Sequence, residues 1–219
     1  MAILNPILEI LKTILVFFYD NVYPNYGIDI ILLTIAVRIV MIPLTLTQIK
    51  SQIQMKEIQP KINKIREEHK NDREKMNQEI MKIYRENKIN PLSGCLPLLL
   101  QLPVLFALYM LIQQYEPIQT ESFLWINELG KMDPYFILVI IFVATSLLTQ
   151  QMMITDTSQK ALQYILPITM GILFYRFPAA FFVYFNTSNV WQLGERYLIS
   201  KLFKQKEDTK KVKRKQKKK

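Results

Sequence analysis

The stretch Ile31-Leu32-Leu33-Thr34-Ile35-Ala36-Val37-Arg38-Ile39-Val40-Met41-Ile42 decides the fold of this chain. It is the centre of an apolar run from about residue 28 to about residue 46, which is long enough to cross a bilayer as a helix. Arg38 stands near the middle of that run, roughly 12–15 Å from either membrane surface at the helical rise per residue. An arginine at that depth costs about 2.5–3.5 kcal/mol on insertion scales, so we interpret it as a functional residue.

Arg38 has no obvious counter-charge in the sequence. Asp29 is nine residues away on the same helix, and Glu195 is near the far end of the last apolar segment. Because an unpaired charge is costly in an apolar medium, we predict that Arg38 faces water in a polar cavity within the membrane. The alternatives are hydrogen bonds to backbone carbonyls of a neighbouring helix, or a side chain that reaches to the membrane surface.

The apolar residues are gathered into blocks, and the charges lie between and after them. Half of the 219 residues are hydrophobic, and the net charge is +10. This segregation predicts an all-α polytopic membrane protein rather than a soluble enzyme. The single Cys95 excludes an intrachain disulfide, and with His69 as the one histidine we expect no multi-histidine metal site. No catalytic motif is present, so we expect neither an enzyme nor a cofactor.

The predicted organisation is an N-terminal amphipathic helix, a membrane core with an inserted hairpin, and a basic tail. Glu9 and Lys12 interrupt the apolar residues of the first segment, which favours a helix lying in the membrane interface; a sixth span would bury both charges. We expect five transmembrane helices around a hydrophilic groove. The predicted boundaries are 1–27 for the interfacial helix, 28–200 for the five-span core, 48–90 for a cytoplasmic helical hairpin within it, and 201–219 for a disordered basic cytoplasmic tail.

Two narrow apolar stripes mark the arms of the hairpin, on either side of a polar turn at residues 69–73. Each stripe repeats at i, i+4 and i+7, the spacing of one helix face. We expect these stripes to face each other or a partner protein. Their members are Ile58, Ile62 and Ile65 on the first arm, and Met76, Ile80 and Ile83 on the second.

Four further spans and a loop complete the predicted core. The spans are predicted at about 95–112, 135–153, 161–175 and 179–199, with a polar loop at 113–134. Of the 28 lysines and arginines, all but Lys12, Arg38, Lys131 and Arg176 fall in the hairpin, in the 154–162 loop or from Arg196 onward. The positive-inside rule therefore predicts an external N-terminus and a cytoplasmic C-terminus.

The basic tail and three polar residues of the spans are further candidates for function. The tail suits lipid headgroups or ribosomal RNA, and its candidate contact residues are Lys210, Lys211, Lys213, Arg214 and Lys215. Within the membrane, Gln101, Asn189 and Gln192 either line the cavity around Arg38 or form hydrogen bonds across helices.

Three motifs occur in the order and spacing of one known family. They are Arg38 followed by Pro43-Leu44-Thr45 and Met55-Lys56-Glu57-Ile58-Gln59-Pro60-Lys61; Asn90-Pro91-Leu92-Ser93-Gly94-Cys95-Leu96-Pro97 with Gln101 and Pro103; and Phe177-Pro178-Ala179-Ala180 with Tyr184-Phe185 and Thr187-Ser188-Asn189-Val190-Trp191. Together they resemble the YidC-type membrane protein insertases, which have mitochondrial and plastid relatives. The resemblance covers about residues 5–200.

The resemblance implies a groove that is open to the cytoplasm and to lipid and that contains Arg38. It would receive nascent membrane proteins and release their hydrophobic segments into the bacterial inner membrane, without nucleotide. Phe185 is a further candidate residue of the groove. Phe185 and Glu195 stand where many relatives have Trp and Gln, so we expect the last span to contribute differently to the groove. The resemblance adds the ribosome, the Sec translocon and the signal-recognition-particle receptor as possible partners, and we expect a monomer.

Two other functions compete with insertion. In a small channel or transporter, Arg38 would be an anion site; an inverted repeat or a mid-membrane acid would favour this, and the sequence contains neither. In an assembly scaffold, the hairpin would hold one stoichiometric partner, and no nascent chain would be bound.

Overall fold

The computed structural model describes residues 4–87, 89–90, 96–153 and 160–216, and this part of the chain is built from α-helices. The all-α prediction is therefore confirmed. The helices are α1 (Leu4–Asn21), α2 (Tyr26–Glu68), α3 (Arg73–Glu86), α4 (Leu96–Gln114), α5 (Glu116–Thr120), α6 (Ile137–Met153), α7 (Lys160–Phe174) and α8 (Ala179–Gln216).

Helix α2 begins at a side-chain cap and continues much further than we expected. Asn25 accepts hydrogen bonds from the backbone amides of Gly27 at 3.0 Å and Ile28 at 3.3 Å. From there one helix of 43 residues includes both Pro43 and Pro60. The hairpin boundary at residue 48 lies within this helix, because the residues between the prolines are mostly good helix formers and each proline removes only one backbone donor.

The apolar helices differ in length. Within the described residues, α2 is the one helix long and apolar enough to cross a membrane by itself. Shorter apolar helices are Gln101–Gln114, Ile137–Met152 and Tyr164–Phe174, within α4, α6 and α7. Five membrane crossings stay a prediction.

Helix α1 packs against α4 and α2 through one face. Leu8, Leu11 and Leu15 are buried in the main hydrophobic core, whereas Ile10 and Phe17 are exposed. The leucines recur at i, i+3 and i+7, which places them on one side of the helix. The amphipathic pattern thus turns one face of α1 toward the helix bundle.

The polar loop predicted at residues 113–134 is largely a folded cap, formed by residues 115–136, that contains α5. Asp133 is fully buried at its centre. Its carboxylate accepts hydrogen bonds from Trp125 Nε1 at 3.0 Å, Tyr135 N at 3.0 Å and Leu138 N at 2.7 Å. The buried carboxylate thereby binds the cap to the first turn of α6.

The same cap holds the beginnings of α2 and α8. The backbone amides of Ala179 and Ala180 donate to the carbonyls of Lys131 at 2.7 Å and Leu129 at 3.0 Å. Asn25 Nδ2 donates to the Ser122 carbonyl at 2.9 Å. The helix N-terminal amides at this end are therefore partly satisfied by the cap.

The C-terminal half of α2 and helix α3 form the predicted hairpin. Asp72 caps α3 by accepting from the Lys75 amide at 3.0 Å. Ile58, Ile62 and Ile80 are buried between the two arms. The half-buried members of the same cluster include Ile65, Met76 and Ile83. The two stripes therefore face each other, which is the first of the two alternatives.

The tail differs from our expectation. Helix α8 continues to Gln216, so residues 201–216 are helical where we predicted disorder. The reason is local, since this stretch contains no Gly or Pro and is rich in Lys, Arg and Gln, which favour helices. Two other sequence features fall outside the described part: residues 91–95 of the second family motif, and the side chains of Lys210, Lys211, Lys213, Arg214 and Lys215.

Candidate functional site

Arg38 lies between α2 and α8 with only 9% of its surface exposed. Its Nε donates to Ser188 Oγ at 3.0 Å, and its Nη2 also donates to this hydroxyl. A guanidinium that faces water in a polar cavity stays a prediction. Among the described residues its hydrogen-bond partner is a side-chain hydroxyl of the neighbouring helix, at the place where α2 and α8 pack together.

One face of α8 carries the polar groups nearest to Arg38. Tyr184, Ser188, Trp191 and Glu195 recur at i, i+4, i+7 and i+11, so they lie along a single stripe. Tyr184 and Glu195 both interact electrostatically with Arg38. The site therefore consists of one polar stripe along α8 and the guanidinium of Arg38 on α2, which faces that stripe.

Gln101 and Asn189 form hydrogen bonds across helices, one of the two roles that the sequence left open for them. Gln101 Nε2 on α4 donates to the Tyr184 hydroxyl on α8. Asn189 Nδ2 donates to Thr145 Oγ1 at 3.1 Å and Ser146 Oγ at 2.9 Å, both on α6. These bonds connect α8 to α4 and to α6, and so fix the rotation of the helix that carries Ser188.

Gln192 and Phe185, the other two candidate groove residues on α8, have different surroundings from Gln101 and Asn189. Gln192 is half-buried on α8, one turn after Ser188. Phe185 packs in an aromatic cluster, with ring centroids 5.6 Å from Phe142 and 4.7 Å from Phe181. Its position in the core between α6 and α8 gives it a packing role, away from the Arg38–Ser188 contact.

A cavity of about 910 Å³ lies between α2 and α8. Its walls are mainly apolar, and among the described residues Glu195 is the one ionisable group that lines it. Val190 and Leu198 in its wall are exposed, so the cavity opens at the side of the bundle. We expected a polar cavity around Arg38, whereas this one is apolar and Arg38 points to Ser188 instead.

Sequence reasoning missed the residues that complete the site. Arg196 was considered only as one of the charges that predict the orientation; it is buried, and its Nη1 donates to Gln52 Oε1 on α2 at 2.7 Å. Ser188 was noted only as part of a motif. The spacing of Tyr184, Ser188 and Glu195 along α8 was the signal that could have identified this face.

Comparison with known proteins supplies the context for this site. The family model described as "60Kd inner membrane protein" matches residues 17–207. A membrane protein insertase YidC of Fusobacterium nucleatum is 40% identical over 200 residues, which is 89% of this chain and 97% of that protein. The YidC of Clostridium perfringens is 38% identical over 205 residues, covering 86% of each chain.

Longer relatives and a solved structure match as well. The YidC of Geobacter sulfurreducens is 36% identical over 200 residues, which is 90% of this chain but 37% of that protein. A crystal structure of an active YidC insertase with its first transmembrane domain resolved superposes with a TM-score of 0.73 at 30% identity, covering 86% of this chain and 46% of that one. The chain belongs to the 60Kd inner membrane protein family, which includes the YidC membrane protein insertases.

Proposed function

We propose that this chain inserts newly made membrane proteins into the bacterial inner membrane. It receives a nascent chain in a groove open to the cytoplasm and containing Arg38, and it releases the hydrophobic segments of that chain into the bilayer. Relatives that match almost the whole chain are named membrane protein insertases, which supports this proposal. The hairpin would lie in the cytoplasm, with the N-terminus outside and the C-terminus inside.

The observation that carries the proposal is Arg38, a buried cation on α2 whose hydrogen-bond partner is a neutral hydroxyl of α8. Arg38 is bonded to a neutral hydroxyl, so its charge is not neutralised by that contact. A neutral hydroxyl is a weaker partner for a guanidinium than a carboxylate. An acidic group of a client can therefore replace Ser188 with a gain in electrostatic energy.

The energies involved are sufficient for this step without nucleotide. Two opposite charges 4 Å apart attract by about 4 kcal/mol at an effective dielectric constant near 20. This is comparable to the cost of about 2.5–3.5 kcal/mol for an arginine at the centre of a membrane helix. Burial of the client's apolar segment in lipid adds roughly 25 cal/mol per Å². An acidic tail that moves outward is also favoured by the membrane potential, by about 2.3 kcal/mol per charge and 100 mV.

The remaining regions have roles that follow from the same proposal. The basic tail would contact the ribosome or anionic lipid, and the protein would act as a monomer, alone or beside the Sec translocon. The signal-recognition-particle receptor is a further partner. Since Ile58, Ile62 and Ile80 are buried within the hairpin, a hairpin partner would bind its outer faces rather than these stripes.

An insertion assay tests the role of Arg38. A single-span client with an acidic N-terminal tail is added to vesicles that contain wild type, Arg38→Lys or Arg38→Ala protein. We expect Lys to retain insertion and Ala to lose most of it, since only the former keeps a cation in the groove. Protein-free vesicles are the negative control.

The other outcomes each reject a part of the proposal. Normal insertion by Arg38→Ala would show that the charge is dispensable for that client. If wild type inserts no more client than protein-free vesicles, the insertase function itself is rejected, and the scaffold alternative becomes the better explanation.

A further inference from the structure

Glu195 is a buried acid for which the proposed mechanism has no use. It lies seven residues after Ser188 on the same face of α8, about 10 Å along the helix. Both of its carboxylate oxygens are inaccessible to solvent, and neither accepts a hydrogen bond of good geometry from the described residues, although Trp191 is close enough to interact with it. A buried carboxylate without such bonds costs free energy, so its retention needs an explanation.

The charges around Glu195 provide that explanation. Glu195 interacts electrostatically with Arg38 on one side and with Arg196 on the other. Each arginine is hydrogen-bonded elsewhere, Arg38 to Ser188 and Arg196 to Gln52. The carboxylate therefore acts on both cations through space and is bound to neither.

The position of Glu195 places it on the path of a client. It lines the cavity between α2 and α8, whereas Arg38 does not line it and is bonded to Ser188, seven residues nearer the N-terminus of α8. A segment that approaches Arg38 from the C-terminal end of α8 passes this carboxylate first. An acidic segment is repelled by it before it is attracted by Arg38, while an uncharged segment experiences neither force.

We propose that Glu195 sets the charge selectivity of the groove by opposing Arg38. With Glu195 ionised, the potential that an acidic client experiences at Arg38 is reduced, so acidic and neutral clients are inserted more evenly. This inference rests on the proposed insertase function. It makes Glu195 a specificity-determining residue, distinct from Arg38, which binds the client.

The test compares two clients that differ only in their N-terminal tails. One tail contains several Asp and Glu residues, and in the other these are replaced by Asn and Gln. Insertion of each is measured in vesicles containing wild type or Glu195→Gln protein, and the ratio of acidic to neutral client is the readout. We expect the ratio to rise by about three- to tenfold in Glu195→Gln, the effect of removing one like charge at a partly screened site.

Two control variants separate charge selectivity from a change in packing or in total charge. Glu67→Gln removes the same charge from an exposed position of α2, and we expect the ratio to stay at the wild-type value. The double variant Arg38→Gln/Glu195→Gln should give a higher ratio than Arg38→Gln alone, because the repulsion between Glu195 and an acidic tail does not depend on Arg38. A purely structural role of Glu195 would change both clients equally.

The failures of the two proposals can be told apart. If wild type inserts the clients but the ratio is the same in Glu195→Gln, the inference about Glu195 is wrong and the insertase function stands. If wild type inserts neither client above protein-free vesicles, the proposed function fails, and the inference fails with it. Should Glu195→Gln not fold, Glu195→Met offers an uncharged side chain of similar size for the same comparison.

Discussion

Nε of Arg38 lies 3.0 Å from Oγ of Ser188, across a sequence separation of 150 residues. This contact joins α2 to α8, the two helices that also bound the lateral cavity. The hydrogen bond offsets part of the cost of burying the Arg38 guanidinium, and it also holds α2 against α8. The Tyr184–Gln101 and Asn189–Ser146 bonds extend the link to α4 and α6.

We expect Ser188→Ala to destabilise the protein by about 1–3 kcal/mol, because a buried cation loses its described acceptor. Thermal unfolding in detergent, followed by circular dichroism, measures this as a lower midpoint. Ser122→Ala removes the hydroxyl of an exposed serine and is the matched control. Equal midpoints for the two variants would mean that Ser188 does not stabilise the Arg38 guanidinium.

The buried carboxylate of Asp133 should be needed for the cap. Asp133→Asn replaces a charged acceptor of three hydrogen bonds by a neutral amide with one oxygen, so we expect a loss of about 1–3 kcal/mol. Asp133→Ala removes both oxygens, so in a Trp191→Phe background we expect Trp125 fluorescence to shift to the red as its indole loses its acceptor. Asp20→Asn, at an exposed position of α1, should change neither property. An unshifted spectrum in Asp133→Ala would contradict this role.

Local sequence signals predicted the helices well. Helix α8 begins at Ala179 as expected, and the hairpin stripes lie where their i, i+4, i+7 spacing placed them. Helix starts and apolar stripes depend on residues only a few positions apart, so a single sequence is enough to predict them. The helical tail was missed because a run of charges was given too much weight against helix propensity.

The site was predicted only in part, for a physical reason. Periodicity shows which residues share a helix face, but not which face of another helix it meets. The sequence therefore identified Arg38 as unusual and could not name Ser188 as its partner. The bond from Arg196 to Gln52 was not predicted for the same reason, since it depends on how α2 and α8 cross.

The hairpin offers a direct test of its internal packing. Ile62 is fully buried between α2 and α3, whereas 44% of Met81 on the outer side of α3 is exposed. We expect Ile62→Ala to cost about 2–5 kcal/mol in the hairpin, because it leaves a cavity, and Met81→Ala to cost much less. Hydrogen exchange of the α3 amides reads out the difference. Equal protection in both variants would show that the stripes do not pack against each other.

The two glycines Gly27 and Gly194 should respond oppositely to the same substitution. A Cβ at Gly27 would overlap Cγ of Phe123 and lie 2.7 Å from its Cβ, near the root of that side chain, where it cannot move aside. Gly27→Ala should therefore cost about 1–3 kcal/mol through overpacking where α2 meets the cap. At Gly194 nothing lies within 4 Å, so Ala there should stabilise α8 by about 0.5–1 kcal/mol through helix propensity. Thermal unfolding of both variants and of wild type shows whether each substitution lowers or raises the midpoint. A Gly27→Ala midpoint at or above that of Gly194→Ala would contradict the close approach of Phe123 to α2.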